Sequence, residues 1–400
     1  MSNLKILIIP SWYPTPRQPL RGSFFQEQAK FLQGKEGLDF QVLYGEKKSY
    51  SFLRWIWVFI QSWLKPIWPI SVDKVQQVPK AFGFDLPANR RIPDRLQIII
   101  EQRLYLKAYK NLTSRSWVPD LIHAQSGMDA GIYAYHLSKK YDIPFVILEH
   151  QVFVFHYYSR FRARLVLQAF EAANKTAAVS EDERRQVLMN QSNCSPGVIW
   201  NFVDETKYQI RLEKRNKVFT IVTILNSLPI KGFDTFLEAI SEIVKVTQDF
   251  KFIMIGKGAD EKSNDLGSNI FVKKSKELGI YDYGNFIPFV ERDHISDILN
   301  TAHVFVSPSI QEPHGIAVRE AMMCGLPIVS TANGGVEDSI NKNTGLIVPI
   351  KQPKEMATAI INVKNNYSSY HPELIRESAI RQCGKKAFFK LMLEFYQFQN

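Results

Sequence analysis

The sequence is poor in cysteine, glycine and proline. Among 400 residues there are three cysteines, Cys194, Cys324 and Cys383, and 20 residues each of glycine and proline. An odd and widely spaced set of cysteines excludes a disulfide framework and a cysteine-based metal knuckle, and it favours a reducing cytosol. Hydrophobic residues make up 45% and charged residues 22%, which excludes disordered, fibrous and low-complexity classes.

The sequence also lacks the pattern of an export signal and that of a membrane-spanning segment. The first apolar run, 4–9, contains a lysine, is shorter than the core of a signal peptide and is followed by no small-residue cleavage site. We therefore predict no export signal and a cytoplasmic location.

Positive charge is concentrated in one half of the chain. The net charge is +11; residues 1–210 contribute +9 (27 Lys and Arg against 18 Asp and Glu) and residues 211–400 contribute +2 (23 against 21). This asymmetry favours an anionic partner for the first half. Nucleic acid, an acidic membrane surface and a phosphorylated substrate are open alternatives.

Short apolar runs alternate with segments of helical periodicity throughout. The predicted strands are 4–10, 40–44, 121–124, 144–148, 176–179, 198–200, 219–225, 252–255, 285–288, 304–307, 327–330 and 346–348. The predicted helices between them include 23–33, 128–140, 160–173, 233–246, 294–301, 315–323 and 354–364. This alternation predicts an α/β protein with two doubly wound, Rossmann-like parallel sheets, which face each other across a cleft. We predict domains at 1–204 and 218–372, a polar linker at 205–217, and a C-terminal helix over 373–400 that packs back on the first domain.

Two carboxylates with seven residues between them stand where the second half predicts a strand followed by a helix. Glu312 precedes a helix that begins near Gly315, and Glu320 lies one to two turns inside it. The free N–H groups of Gly315, Ile316 and Ala317 would point at an anion ahead of the helix. A sugar nucleotide offers a diphosphate to these groups and hydroxyls to the carboxylates. The alternative is a surface helix with two solvated glutamates.

Glycine turns accompany this segment. Lys231 and Gly232 occupy a predicted strand-to-helix turn, where the ammonium can neutralise a phosphate and glycine allows its close approach. Gly22 precedes a helix start with capping-box spacing at Ser23 and Gln26, so its backbone can also meet a phosphate. A solvated loop lysine and an ordinary helix-start glycine are the alternatives.

The order of these motifs resembles the retaining glycosyltransferases of family 4, also called glycosyl transferases group 1, which have the GT-B fold. The resemblance covers nearly the whole chain. It rests on the stretches 11–14 with Gly22, 119–123, 149–150, 178–180, 201–204, 231–232, 312–327 and 334–335, of which the segment with two glutamates is the most specific. It implies a sugar donor held mainly by the second domain, an acceptor held mainly by the first, and no cofactor beyond a GDP- or UDP-linked sugar as co-substrate.

The resemblance also implies roles for individual residues. Glu320 would accept from the ribose hydroxyls and Glu312 from those of the donor sugar, while Lys231 would stabilise the departing diphosphate. The remaining candidates for donor contact are Gly22, Asn226, His314, Gly315, Ile316 and Ala317, and His150 would lie near the reacting sugar. For His150, an orienting role beside Glu149 is equally open.

The chain departs from the family pattern at two places. Asn226 stands where many members have an arginine five residues before the lysine, and Pro313 and His314 replace a small residue and phenylalanine. The sequence contains no Asp-x-Asp triplet and no zinc-ligand spacing, so we predict that no metal takes part.

A tryptophan-rich segment in the first half has no role in this scheme. Four of the seven tryptophans, Trp55, Trp57, Trp63 and Trp68, lie between 52 and 68. The ten residues between Arg54 and Lys65 would form about 15 Å of helix, half of a hydrocarbon core. With the basic cluster Arg160, Arg162 and Arg164, the segment favours docking on an anionic membrane, and a core or acceptor-pocket helix is the alternative.

These observations predict a retaining, metal-independent glycosyltransferase at the cytoplasmic membrane face, acting on a glycan or lipid-linked acceptor in cell-surface polysaccharide synthesis. A nucleotide-sugar epimerase or phosphorylase of the same fold is the enzymatic alternative. A basic nucleic-acid-binding protein is the alternative from another class, although the sequence carries no motif of that kind.

Overall fold

A computed structural model describes residues 3–15, 18, 21–67, 70–71, 79–114, 117–155, 158–263 and 265–397. The chain forms two compact units. Unit 1 comprises Met1–Val179, Glu183–Ile199 and Phe389–Asn400, and unit 2 comprises Ser180–Asp182 and Trp200–Phe388. Each unit is built on one sheet with helices packed against it.

In the described part of unit 1, the sheet has eight strands. They are β1 Leu4–Pro10, β2 Leu38–Ser49, β3 Ile70–Ser71, β4 Lys80–Ala88, β5 Leu121–Gln125, β6 Phe145–Glu149, β7 Lys175–Ala178 and β8 Gly197–Val198. Their order is β3-β4-β2-β1-β5-β6-β7-β8, with β3 antiparallel to β4 and the other described pairs parallel. The central strands β1, β5 and β6 are buried along nearly their whole length, as expected for a parallel sheet whose two faces are covered by helices.

Among the described residues, six α-helices alternate with these strands. They are α1 Ser23–Leu32, α2 Phe52–Leu64, α3 Asp94–Thr113, α4 Ile132–Tyr141, α5 Arg160–Ala172 and α6 Glu181–Asn190. The core of unit 1 joins the sheet to α3, α4 and α5 through buried side chains such as Leu7, Tyr105, Ile122, Tyr133 and Phe170.

Unit 2 contains a six-stranded parallel sheet. Its strands are β9 Thr220–Ile224, β10 Lys251–Ile255, β11 Gly284–Ile287, β12 Val304–Ser307, β13 Ile328–Thr331 and β14 Gly345–Val348, in the order β11-β10-β9-β12-β13-β14. Its helices are α7 Phe233–Val244, α8 Leu266–Glu277, α9 Arg292–Leu299, α10 Ile316–Met323, α11 Pro353–Asn365 and α12 Pro372–Cys383. The apolar face of α7, with Phe236 and Ile240, packs into its core. The last helix, α13 Lys385–Tyr396, ends in unit 1.

The predicted alternation and the parallel sheets are confirmed, and each of the twelve predicted strands is found. Elements β3, β4, α3, α6 and α8 were not predicted. In β4, Gly83, Asp85 and Pro87 interrupt the apolar pattern, and the strand depends on its pairing with β2 over nine residues.

The ends of the predicted domains differ from the observed units. The predicted linker 205–217 lies inside unit 2, because Tyr208 is buried in its core and Arg211 pairs with Asp297 at 2.8 Å. The predicted helix over 373–400 is two helices, separated at Gly384. In the second of them, the hydroxyl of Tyr396 lies 2.9 Å from Nδ1 of His123 in unit 1. None of the helices in the described ranges is long and apolar enough to cross a bilayer.

Candidate active site

The start of α10 in unit 2 is shaped by a glycine. Gly315 is the N-cap residue at φ 72°, and a Cβ there would lie 2.4 Å from Cγ1 of Val336. Ile316 and Ala317 form the first turn, whose N–H groups have no partner within a helix and carry its positive dipole end. The predicted helix start is therefore confirmed, and the N-terminal end of α10 is chemically suited to binding an anion.

Lys231 and Glu312 are in direct contact. Lys231 ends a short 3-10 turn after β9, and Nζ lies 2.5 Å from Oε2 of Glu312. Gly232, at φ 69°, makes this possible, because a Cβ on it would lie 2.0 Å from the carbonyl oxygen of Pro308. The two charged groups that the sequence predicts for one site thus lie together in unit 2.

A buried arginine holds the loop between Glu312 and α10. Arg319 is fully buried and donates to the carbonyl oxygens of His314 and, at 3.1 Å, Gly335, and it pairs with Asp338 at 3.0 Å. Burial lowers the pKa of Arg319, although Asp338 opposes this effect. A Cβ on Gly335 would lie 2.3 Å from the Glu312 carbonyl oxygen, so the glycine turn also fixes this loop.

Glu320 lies inside unit 2 with polar partners. Its side chain is buried, and Oε1 accepts a hydrogen bond from the Tyr208 hydroxyl at 2.7 Å and from Arg292 at 3.1 Å. The carboxylate is therefore held in one orientation. A ribose hydroxyl that reaches it would join a group already fixed by Tyr208 and Arg292.

His314 and Asn226, the two departures from the family pattern, have structural contacts. His314 is buried, and its Nε2 accepts from the backbone N–H of Asn201 at 3.1 Å. Asn226 is exposed, and its Oδ1 accepts from the N–H of Leu228 at 3.0 Å, which shapes the loop leading to Lys231. Both residues thus support backbone next to the predicted donor contacts.

The other two candidates, Gly22 and His150, belong to unit 1. Gly22 is itself the N-cap of α1 at φ 71°, so Ser23 is the first helical residue and not the cap that a capping box requires. His150 follows β6 and is buried edge-on against Phe25, with ring centroids 4.7 Å apart. Beside it, burial raises the pKa of Glu149, whose carboxylate accepts from the N–H of Gly127 at 2.7 Å.

Comparisons with known proteins identify the family. The sequence model for Glycosyl transferases group 1 matches residues 204–381, and that for Glycosyltransferase Family 4 matches 69–207. The chain is a family 4 glycosyltransferase. It is 26% identical over 374 residues to TuaC of Bacillus subtilis, a glycosyltransferase assigned to teichuronic acid biosynthesis, with 89% of this chain and 88% of that protein covered.

Solved structures show the fold of this glycosyltransferase. Sucrose-phosphate synthase from Thermosynechococcus elongatus superposes with a TM-score of 0.76 at 16% identity, over 98% of each chain. HepE from Anabaena, in complex with UDP, superposes with a TM-score of 0.71 at 16% identity, also over 98% of each chain. The predicted GT-B fold is confirmed.

The tryptophan-rich segment of the glycosyltransferase forms α2, but its tryptophans differ in exposure. Trp57 and Trp63 are 58% and 56% exposed, whereas Trp55 is buried and donates through Nε1 to Gln97 at 2.9 Å. The prediction that Trp55 meets a membrane is therefore wrong. An α-helix turns by about 200° over two residues, so the side chains of Trp55 and Trp57 point to nearly opposite sides of α2. Trp68 lies outside the described residues.

The predicted basic cluster is also corrected. Arg160 and Arg164 are exposed, but Arg162 is buried and pairs with Asp94 at 2.8 Å and with Asp129. Burial works against the charged form of Arg162, but Asp129 and Asp94 outweigh it and raise the pKa. The charge of Arg162 is thus neutralised by ion pairs within unit 1 and is not available for contact with a membrane.

Sequence reasoning missed the partners that orient Glu320 and a glycine at the neighbouring strand end. Tyr208 was assigned to the linker, and Arg292 opens α9 without a motif of its own. Gly256 follows β10 at φ 144°, and a Cβ on it would lie 1.7 Å from the Leu225 carbonyl oxygen. Its only signal in the sequence is a glycine directly after a buried apolar run.

Proposed function

We propose that the protein transfers a sugar, with retention and without a metal ion, from a UDP- or GDP-linked donor to a hydroxyl of a glycan or lipid-linked acceptor. The bond between the anomeric carbon and the diphosphate oxygen breaks, and a bond from that carbon to the acceptor oxygen forms. The electron pair of the broken bond stays on the diphosphate, and the acceptor hydroxyl loses its proton to solvent or to the leaving diphosphate.

The contact between Lys231 and Glu312 at the start of α10 carries this proposal. Negative charge develops on the departing diphosphate while the sugar acquires oxocarbenium character. Lys231 and the N–H groups of Gly315, Ile316 and Ala317 supply preorganised positive groups for the diphosphate. Glu312 supplies an acceptor for the sugar hydroxyls beside them. The UDP bound to the similar HepE supports a nucleotide at this kind of site.

Metal independence follows in the proposal from the same groups. The ammonium of Lys231 and the dipole of α10 meet the diphosphate charge that a divalent cation would otherwise neutralise. Retention is what membership of the family implies for the stereochemistry. The remaining donor contacts that we propose are Gly22, Asn226, His314 and Glu320, with His150 near the reacting sugar.

The acceptor and the setting are inferred from the relatives and from α2. The similarity to TuaC supports a role in cell-surface polysaccharide or glycolipid synthesis. We place the enzyme in the cytoplasm, on the inner face of the membrane. The outer face of α2, defined as Leu53, Trp57, Ile60, Trp63 and Leu64, is exposed throughout.

Basic side chains surround this outer face. Arg54 and Lys65 lie at the two ends of α2, and the Arg103 guanidinium stacks on the Trp63 ring at 3.5 Å from its centroid. Indole rings with flanking cations suit the headgroup layer of an anionic bilayer, where the rings meet apolar chains and the cations meet phosphates. The proposal is therefore peripheral binding through α2.

A thermal-shift screen tests the donor proposal. Purified protein in EDTA is heated with UDP, GDP and their sugar conjugates; a ligand that binds only the native state raises the melting temperature. We expect a shift with one nucleotide series and its loss in Glu320→Ala, with Glu377→Ala on exposed α12 surface as the control. Shifts that require added Mg²⁺, or none with either series, would contradict the proposal.

A further inference from the structure

A cavity of about 510 Å³ lies at the edge of the unit 1 sheet where β7 and β8 begin. Its walls belong to unit 1: the end of α5, the first residues of β7, the segment leading into β8 and the last turns of α13. Ligands of open α/β sheets usually bind beyond the carboxyl ends of the strands. Because this cavity lies at the amino ends, we expect its ligand to be neither the donor nor the acceptor.

The inner part of the cavity is apolar. Its buried side chains, none more than 5% exposed, are Phe170, Ala177, Ile199 and Phe395. Val198 and Leu391 are half-buried beside them. An aromatic or aliphatic body of ligand size would therefore bury apolar surface on these side chains.

The charged lining of the cavity is negative overall. It consists of one cation, Lys175, and two anions, Glu171 and Glu394, so the formal sum is −1. Both glutamates are exposed. Glu394 lies 3.9 Å from Lys390, whereas Glu171 has no ion pair within the described ranges and accepts from the Asn193 amide at 3.0 Å. The two carboxylates therefore keep acceptor capacity for a ligand.

The ammonium of Lys175 is engaged by the backbone of α13. Its Nζ donates to the carbonyl oxygen of Glu394 at 2.6 Å and to that of Gln397 at 2.5 Å. The C-terminal end of a helix carries partial negative charge, which this ammonium offsets. An anionic ligand would meet two carboxylates while the cation of the lining is already engaged, so we expect anions to be excluded.

We propose that this cavity binds a small organic cation, in which an ammonium group is attached to an apolar body. The body would pack on Phe170 and Phe395, and the carboxylates of Glu171 and Glu394 would accept from the ammonium. The occupant would contact both β8 and α13, which come from separate segments of unit 1. Binding would therefore hold the last helix on this sheet, at a site additional to those of the proposed transfer.

Cys194 in the wall of the cavity provides a local reporter of binding. It is half-buried, whereas Cys324 and Cys383 are fully buried, so a thiol reagent added to the native protein should modify Cys194 first. Burial raises the pKa of the Cys194 thiol, so methyl methanethiosulfonate is used at mildly alkaline pH. A ligand in the cavity should slow this reaction, and peptide mass spectrometry identifies the modified residue.

Three compounds with the same ring and different head groups test the charge preference on the full chain. They are phenethylamine, phenethyl alcohol and hydrocinnamate. We expect phenethylamine to slow the labelling of Cys194 about tenfold at saturation, the alcohol to bind about tenfold more weakly, and hydrocinnamate to have no effect. UDP and GDP are assigned to unit 2, so neither should change the labelling rate, and their thermal shifts should persist with phenethylamine present.

The double variant Glu171→Gln/Glu394→Gln removes both negative charges and keeps an acceptor oxygen at each position. Its affinity for phenethylamine should fall about tenfold, while its affinity for phenethyl alcohol should not change. Glu36→Gln/Glu377→Gln is the matched control, because these exposed glutamates do not line the cavity and the net charge changes equally. Both double variants should keep the melting temperature of the wild type.

Four results would overturn the proposal. They are labelling of Cys194 that none of the three compounds slows, protection by the alcohol or the acid at least equal to that by the amine, an equal loss of amine binding in the two double variants, and competition between phenethylamine and UDP or GDP. The last result would show that the cation binds at the nucleotide site of unit 2.

Discussion

The loops at the carboxyl ends of the two sheets are held in place by different kinds of contact. In unit 2, glycines allow backbone segments to touch: Gly232 meets Pro308, and Gly335 meets Glu312, so loops are held at close range. In unit 1, the same edge is held by side-chain charges, with Asp129 between Lys47 and Arg162. In the proposed reaction, the backbone contacts of unit 2 would hold the diphosphate that all donors share, whereas side chains at the edge of unit 1 can be exchanged to suit different acceptors.

The largest effect that tests this comparison is expected at Lys231. In Lys231→Ala the diphosphate loses its cation and Glu312 loses its partner, so kcat should fall about 10²–10³-fold. The measurement is steady-state sugar transfer or donor hydrolysis. Lys262→Ala removes an exposed lysine of unit 2 and should leave kcat unchanged. A loss of less than about tenfold in Lys231→Ala would exclude Lys231 from the reaction.

The role of glycine in unit 2 is tested by a matched pair. Gly232 and Gly279 have φ angles of 69° and 68°, but a Cβ would touch the Pro308 carbonyl oxygen only at Gly232, with nothing within 4 Å at Gly279. Gly279→Ala should lower the free energy of unfolding by about 1 kcal/mol and Gly232→Ala by about 3 kcal/mol or more. Denaturant titration measures both. Equal losses would show that the close approach contributes nothing.

The placement of Glu312, Gly315 and Glu320 around one helix start could be predicted from the sequence because these three residues are close together along the chain. Glu312, Gly315 and Glu320 lie within nine positions, and one strand and one helix define their geometry. Strand-helix alternation gave the fold class for the same reason, since periodicity is a local property. Arg292 was missed because its contact with Glu320 joins two helices.

The corresponding edge of unit 1 could not be predicted. Lys47, Asp94, Glu101, Asp129 and Arg162 come from four separate segments, and only the sheet order brings them together. Counting charge along the chain therefore placed Arg162 in a free basic cluster. In the same way, counting tryptophans could not separate Trp55 from Trp57, because the inward face of α2 depends on what packs against it.

The exposed side of α2 is tested by vesicle binding. In Trp57→Ser/Trp63→Ser, loss of two exposed rings, which the membrane proposal places in the headgroup layer, should weaken sedimentation with phosphatidylglycerol-containing vesicles by about 2 kcal/mol, about thirtyfold. The melting temperature should not change. Phe289→Ser removes an exposed aromatic ring of unit 2 and should bind like the wild type. Undiminished binding by the double variant would contradict the membrane proposal.

Trp55→Ser makes the complementary prediction for the inner face. It removes a buried ring and the hydrogen bond to Gln97, so stability should fall by about 3–5 kcal/mol. The melting temperature measures this loss. A stable Trp55→Ser protein that no longer binds vesicles would show that the two faces of α2 have been assigned the wrong way round.

The smallest effect concerns the charges of unit 1 and depends on pH. Partial burial alone would raise the pKa of Asp94, but hydrogen bonds from Arg162 and Ser159 outweigh it and lower the pKa. A carboxyl with a lowered pKa in the folded state stabilises above its unfolded pKa of about 3.9, and this contribution is lost as pH falls through the folded value. Asp94→Asn should therefore be less stable than the wild type at neutral pH, and the difference should shrink steadily below about pH 4.

Asp249→Asn is the control for this titration, because Asp249 is an exposed residue of unit 2 whose ion pair with Lys364 spans 3.5 Å. Its difference from the wild type should be near zero at every pH, since exposed pairs are screened by solvent. If the stability difference of Asp94→Asn were equally independent of pH, the charged side chains would not be what stabilises this edge of unit 1. The edge would then depend, like that of unit 2, on packing and backbone contacts.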